Sequence, residues 1–190
     1  MEYQKVLNFW FGKPEDINYG KPREFWFVKN DEFDRKIKSQ FYSLYEQAAA
    51  GKLHHWQQQP LSCLALIIIL AQFPRNMFRG SPQAFATDDR AKTHAKYAIT
   101  NQFDLQLIPV QRWFIYLPFE HSENLEDQET SIELFARLQA HADSKSAIDY
   151  AYRHWQVMQR FGRFPHRNRV LGRTNTPEET EFLKQSGSGF

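Results

Sequence analysis

The stretch Pro60-Leu61-Ser62-Cys63-Leu64-Ala65-Leu66-Ile67-Ile68-Ile69-Leu70-Ala71-Gln72-Phe73-Pro74 is the greasiest segment of this 190-residue chain. Proline bounds it at both ends, and Ser62 and Gln72 are its only polar side chains. A helix over residues 61–73 spans about 20 Å at 1.5 Å per residue, short of the roughly 30 Å of a bilayer's hydrocarbon. It reads as a helix buried in the core of a folded domain rather than a membrane span.

Outward from that segment, helical periodicity dominates. Residues 30–50 place Phe33, Ile37, Phe41, Leu44, Tyr45 and Ala48 on one face, with Asn30 or Asp31 to cap the start and Gly51 to end it. Residues 88–101 put Ala91, Ala95 and Ala98 on one side, which lets a neighbouring helix approach closely. A helix is expected from Pro109 to Leu117, stopping before Pro118. Another is expected over 124–141 with the stripe Ile132, Phe135, Leu138. Residues 144–161 carry Ala147, Tyr150, Ala151, His154, Met158 and Phe161. Thr176-Pro177-Glu178-Glu179 is a capping box for a short last helix. No alternating strand pattern or hairpin turn competes. The expected fold is all-α, about eight helices stacked as antiparallel pairs in a single domain over 1–185, with a flexible tail over 186–190.

Composition bounds function by exclusion. The chain is 42% hydrophobic, 16% aromatic and 24% charged with formal net charge +2. That balance argues against disorder and gives no reason to expect nucleic acid or an anionic membrane as partner. Cys63 is the sole cysteine, so no disulfide forms within the chain. Residues 1–5 lack the basic start of a signal peptide, and the cytoplasm is the expected home.

The net charge conceals two opposed blocks. Residues 120–133 hold Glu120, Glu123, Glu126, Asp127, Glu129 and Glu133 with no Lys or Arg, whereas residues 160–173 hold Arg160, Arg163, Arg167, Arg169 and Arg173 with no acid. These blocks either pair with each other or build a site for an anion, since a guanidinium fork matches a carboxylate or phosphate. A second pattern is an echo. Phe73-Pro74-Arg75-Asn76 with Gly80 returns as Phe164-Pro165-His166-Arg167-Asn168 with Gly172. It is either a helix-stopping corner used twice or a pair of Arg-Asn corners aimed at one site.

The candidate ligand-binding residues are Arg75, Asn76, Arg79, Glu123, His154, Arg160, Arg163, Arg167 and Asn168. Glu120, His121 and His166 are the acid–base candidates, because histidine beside carboxylates titrates near neutrality. His154 lies on its helix's apolar stripe, where a core role competes. His121, His154 and His166 could converge with Glu120 on a metal, but no His-Glu-x-x-His or Glu-x-x-His spacing is present. No metal or cofactor is therefore expected. The expected partner is a small anionic molecule; the alternative is an acidic peptide held by an interaction module.

Four blocks resemble a known family: Val6-Leu7-Asn8-Phe9-Trp10-Phe11-Gly12, Gln72 to Gly80, Leu117-Pro118-Phe119-Glu120-His121-Ser122-Glu123, and Arg160 to Asn168. They look like the uncharacterised bacterial family catalogued as domain of unknown function 924, with similarity running from Val6 to about Leu183. The resemblance implies an all-α fold related to tetratricopeptide-like helical superfamilies, and it implies no established activity, cofactor or catalytic residue. The family pattern usually has Asp directly before Gln72, where this chain has Ala71.

Overall fold

A computed structural model describes residues 1–189. The α-helical segments among them are α1 (Glu2–Phe11), α2 (Asp31–Ala49), α3 (Pro60–Ala71), α4 (Phe73–Met77), α5 (Asp88–Thr100), α6 (Pro109–Glu120), α7 (Leu125–Ala136), α8 (Lys145–Phe161) and α9 (Pro177–Phe182). No strand occurs among the described residues. The all-α expectation holds.

The greasy helix α3 lies at the centre. Residues 63–71 are all at most 1% exposed, and α1, α2, α5 and α6 pack around them. The 60–77 stretch is long and apolar enough to cross a membrane by composition alone, yet it is mostly buried inside the protein. Helix α5 packs against α3 and α6, and its Ala91, Ala95 and Ala98 are each fully buried; side chains this small let a neighbouring backbone approach closely. Asn30 caps α2, its Oδ1 accepting from the backbone N–H groups of Glu32 and Phe33. That capping satisfies donors the first turn leaves without an internal partner.

Aromatic residues fill the other half of the core. Phe114 sits edge-on to Trp26 (4.9 Å between ring centroids, 82°), Phe11 (5.4 Å, 75°) and Trp10 (5.6 Å, 84°). Edge-to-face packing aligns the positive rim of one ring with the negative face of another. The indole N–H of Trp26 donates to the carbonyl of Trp10 at 3.0 Å, so its one polar atom is satisfied within the cluster.

Three local expectations are corrected. Helix α6 does not stop before Pro118 but carries it in the last turn and ends at Glu120. A proline this close to a C-terminus removes one hydrogen bond and leaves little helix beyond it to disrupt. At the first corner α3 does end, at Ala71, but the chain does not leave helix: Gln72 keeps helical angles (φ −91, ψ −48) and Pro74 stands in the first turn of α4, where its missing N–H costs nothing. In α7 the helix ends at Ala136, and the buried stripe is Asp127, Gln128, Ser131, Leu134 and Phe135, continued by Leu138. Ile132 is only part-buried, and Tyr150 of α8 is 45% exposed. The tail expected over 186–190 is described as far as residue 189. Ser188 is buried there and donates its hydroxyl to the Leu183 carbonyl at 3.2 Å. Residue 190 lies outside the described residues.

Candidate functional site

The polar stripe of α7 explains where the site forms. Gln128 is fully buried and its amide nitrogen donates to the carbonyls of Glu120 (2.5 Å) and Ser122 (2.8 Å). Those carbonyls belong to the end of α6, where backbone acceptors have no helical partner. The α6 terminus is thereby fixed, and with it Glu120 and His121. From α8, His154 projects into the same place, with Nδ1 3.0 Å from Glu120 Oε1 and 2.9 Å from the Tyr150 carbonyl. A carbonyl only accepts, so Nδ1 carries the proton and shares it between Tyr150 and Glu120.

Burial sets the electrostatics. Glu120 is 2% exposed and His154 3% exposed. Desolvation pushes the Glu120 carboxyl up to about 8 and His154 down to about 3, the latter opposed by the Tyr150 hydrogen bond and reinforced by Arg167. His121 is held well below its ordinary value, by burial first and then by Arg75, His154, Arg167 and His166. His166 falls to about 4 through burial and Arg167. The pair is therefore neutral on both sides at pH 7, with the carboxyl protonated. Two atoms of the cluster, Glu120 Oε2 and His121 Nδ1, are sealed from solvent without a hydrogen-bond partner among the described residues.

The echoed corners meet through their arginines but not their asparagines. Arg75 lies over the Phe85 ring at 5.5 Å and Arg167 over the same ring at 4.9 Å. The Arg167 guanidinium also sits 4.4 Å from the Phe164 centroid. Asn76 turns away to Asp34 Oδ1 (2.7 Å), and Asn168 to Asn175 Oδ1 (2.8 Å) and Glu179 Oε2 (3.2 Å). Gly80 (φ +77) and Gly172 (φ +67) close the two corners in the left-handed region, where a side chain would be strained.

Partners sort the remaining candidates. Arg75 forks onto Asp88 at 2.7 and 3.0 Å and also reaches the Ala71 carbonyl. Arg79 forks onto Asp34, Arg160 meets Glu178, and Arg163 forks onto the buried Glu179 at 2.6 and 2.8 Å. Much of the basic block is thus neutralised by α9, not by the acidic block. One link does join the blocks: Glu123 takes a fork from Arg173 and accepts the Phe164 N–H at 2.7 Å, anchoring the second corner. Arg167 stands apart from the other four candidate arginines. It is 7% exposed, makes no ion pair among the described residues, donates Nη1–H to the His121 carbonyl at 3.0 Å, and leaves its buried Nε–H without a partner. Burial first, then Arg75, lowers its pKa to about 10, so it stays charged at neutral pH.

Arg167 and His121 line a cleft of about 180 Å³ with Phe85, Asp88, Lys92, Ser122 and Glu123. Lys92 donates to Asp127 Oδ2 (2.8 Å) and Ser122 Oγ (3.1 Å). The structure thus gathers Glu120, His121, His154, His166 and Arg167, with Arg75 and Glu123 at the margin. Arg79, Arg160 and Arg163 do not line the cleft. Sequence reasoning missed Phe85 and Lys92, which belong to no motif, and Ser122, which lies in the Leu117–Glu123 block but is not among its candidate site residues.

The chain matches the model of a family of bacterial proteins of unknown function, DUF924, over residues 6–187. It belongs to that family. A solved structure of a protein of unknown function from Agrobacterium tumefaciens is 34% identical, with a TM-score of 0.85 covering 96% of this chain and 97% of that one. A comparison with curated proteins found no match. Two of the four sequence blocks that resemble DUF924, 117–123 and 160–168, line the cleft; the Gln72–Gly80 block supplies Arg75 beside it on Phe85, and the first block supplies Trp10 and Phe11 to the aromatic core.

Proposed function

We propose that this protein binds a small anionic ligand in the cleft, with Arg167 receiving its carboxylate or phosphate. The carrying observation is the state of Arg167: a buried guanidinium, packed against two phenyl rings, with no ion-paired carboxylate among the described residues. An unpaired buried charge costs several kcal/mol, so a fold that keeps one gains from an anion that pairs with it. A planar fork packed against aromatic rings is also preorganised for bidentate contact.

The cleft volume, about 180 Å³, falls below the roughly 300 Å³ at which sites for drug-sized ligands begin. That suits a small acid or the terminal group of a larger one better than an extended peptide. His121 reaches the cleft, and Glu120 and His154 stand behind it. A carboxyl that keeps its proton near neutrality, beside imidazoles that do not take one up, can supply and return a proton to a bound ligand.

The test is a thermal-shift panel of inorganic phosphate, small mono- and dicarboxylates and phosphate monoesters against wild type, Arg167→Met and Arg167→Lys. A ligand at a hundred times its Kd adds about 2.7 kcal/mol of stability. At least one anion should stabilise wild type, Arg167→Lys should respond weakly because it keeps charge without the fork, and Arg167→Met should not respond. Equal stabilisation of all three would discard this reading.

A further inference from the structure

We propose that Glu120, His121 and His154 form a binding site for a divalent transition-metal ion, zinc by the character of the donor set. Two imidazoles and one carboxylate are the ligand set of a family of zinc centres that leave a coordination position open to substrate. One ligand atom from each of the three residues lies within 4.8 Å of the other two. Bonds of 2.0–2.2 Å to a common tetrahedral centre set ligand atoms about 3.4 Å apart. Adjustments of roughly an ångström in side-chain position therefore complete the arrangement, and rotation about the terminal bonds of Glu and His supplies them.

The second observation is independent of that spacing. Glu120 Oε2 and His121 Nδ1 are both buried in the cluster with no hydrogen-bond partner among the described residues. Burying such atoms unsatisfied costs about 1–3 kcal/mol each. Both can present a lone pair, and a cation between them would satisfy both at once. His154 enters with Nδ1 bonded to the Tyr150 carbonyl, an outer hydrogen bond of the kind that orients metal-ligating imidazoles. The His121 carbonyl is held in turn by Arg167. Helix α6 supplies two ligands and α8 the third, so no short motif in the sequence spells the site out.

Charge explains how such an ion would be used. Arg75 is already paired with Asp88, whereas Arg167 beside the cluster makes no ion pair among the described residues. An ion beside it makes the pocket doubly cationic, which a bound anion would offset. The metal proposal does not depend on the anion reading, because ion binding can be measured without any anionic ligand.

The experiment uses the full chain stripped with chelator, titrated with Co²⁺ in a non-coordinating buffer and followed by visible absorption. One equivalent should bind with the intense bands of a four- or five-coordinate ion, and Zn²⁺ should displace it. Calorimetry in buffers of different ionisation enthalpy should detect a proton released as Glu120 ionises. Glu120→Gln and His121→Ala should each weaken binding by more than the roughly 10- to 100-fold typical of losing an outer-shell group. His94→Ala, which alters the separate His54–His94 contact at 5.9 Å, should leave it unchanged. Circular dichroism checks that each variant is folded, and the wild-type titration decides the question even if one is not. No saturable binding to wild type would overturn the proposal, as would binding lost in His94→Ala but kept in His121→Ala.

Discussion

Replacing Glu120 by Gln removes a carboxyl that the fold keeps protonated, and its effect on stability must therefore depend on pH. Burial lifts the folded-state pKa from the ordinary 4.5 to about 8. Between those values the native state holds a proton that the unfolded chain has released, so stability falls as pH rises. The slope approaches 1.4 kcal/mol per pH unit, with a ceiling of about 5 kcal/mol by pH 8. His154 acts in the opposite sense: its folded pKa is pushed to about 3, so its contribution rises with pH up to the ordinary histidine value of 6.5. The wild-type profile alone therefore mixes two opposed effects. Subtracting the Glu120→Gln profile cancels the histidine, because both proteins carry it, while the new amide adds an offset independent of pH. Urea unfolding of the two proteins in the presence of chelator, at intervals from pH 5 to pH 8, is the assay. The variant should gain about 2–4 kcal/mol on wild type across that range. A constant difference, or a wild type that gains on the variant, would refute the neutral pair and indicate an ionised Glu120 matched by a charged His154.

Two further outcomes follow from the packing. Ala95→Leu forces a large side chain into the packed face of α5, where Ala95 is fully buried, and should lower the unfolding free energy by about 1–3 kcal/mol in urea. Arg163→Ala strands Glu179, a 2%-exposed carboxylate that receives the Arg163 fork, and should lower the melting temperature at pH 7. The Arg163 fork leads the interactions that hold the Glu179 carboxyl down to about 2, so its stabilising contribution is present above pH 4.5 and lost as pH falls toward 2. The deficit of the variant should accordingly shrink in acid; a deficit that stays constant to pH 3 would contradict that pairing.

Most of the fold was legible in the sequence because helices announce themselves through apolar spacing and caps. Asn30 caps α2, Ala91, Ala95 and Ala98 form the buried face of α5, and Thr176 with Glu179 makes the expected capping box, all on local signals. The failures have separate physical causes. In α7 the buried face carries Asp127, Gln128 and Ser131, so a search for apolar periodicity settled on Ile132, which is only part-buried. Those polar residues are buried because they satisfy other groups: Gln128 ties the α6 terminus, and Asp127 receives Lys92 and Ser122. Pro118 reads as a stop in the sequence because its cost depends on how much helix follows it, and local signals do not show that α6 ends two residues later.

The site was legible in its members and not in its arrangement. Glu120, His121, His154, His166 and Arg167 were all singled out from sequence, and they do converge. Charge blocks could not say which arginine lacks a partner, since Glu178 and Glu179 of α9, outside either block, neutralise Arg160 and Arg163. Phe85, the ring on which both corner arginines rest, carries no charge and lies in no motif.

That Arg167 is the anion receptor is tested most directly by calorimetric titration of inorganic phosphate and of malonate into wild type, Arg167→Met and Arg163→Met. Wild type and Arg163→Met should give saturable one-to-one binding of at least one of these anions, and Arg167→Met should give none. Binding that survives in Arg167→Met at the wild-type affinity, or no binding to wild type by either anion, would contradict it.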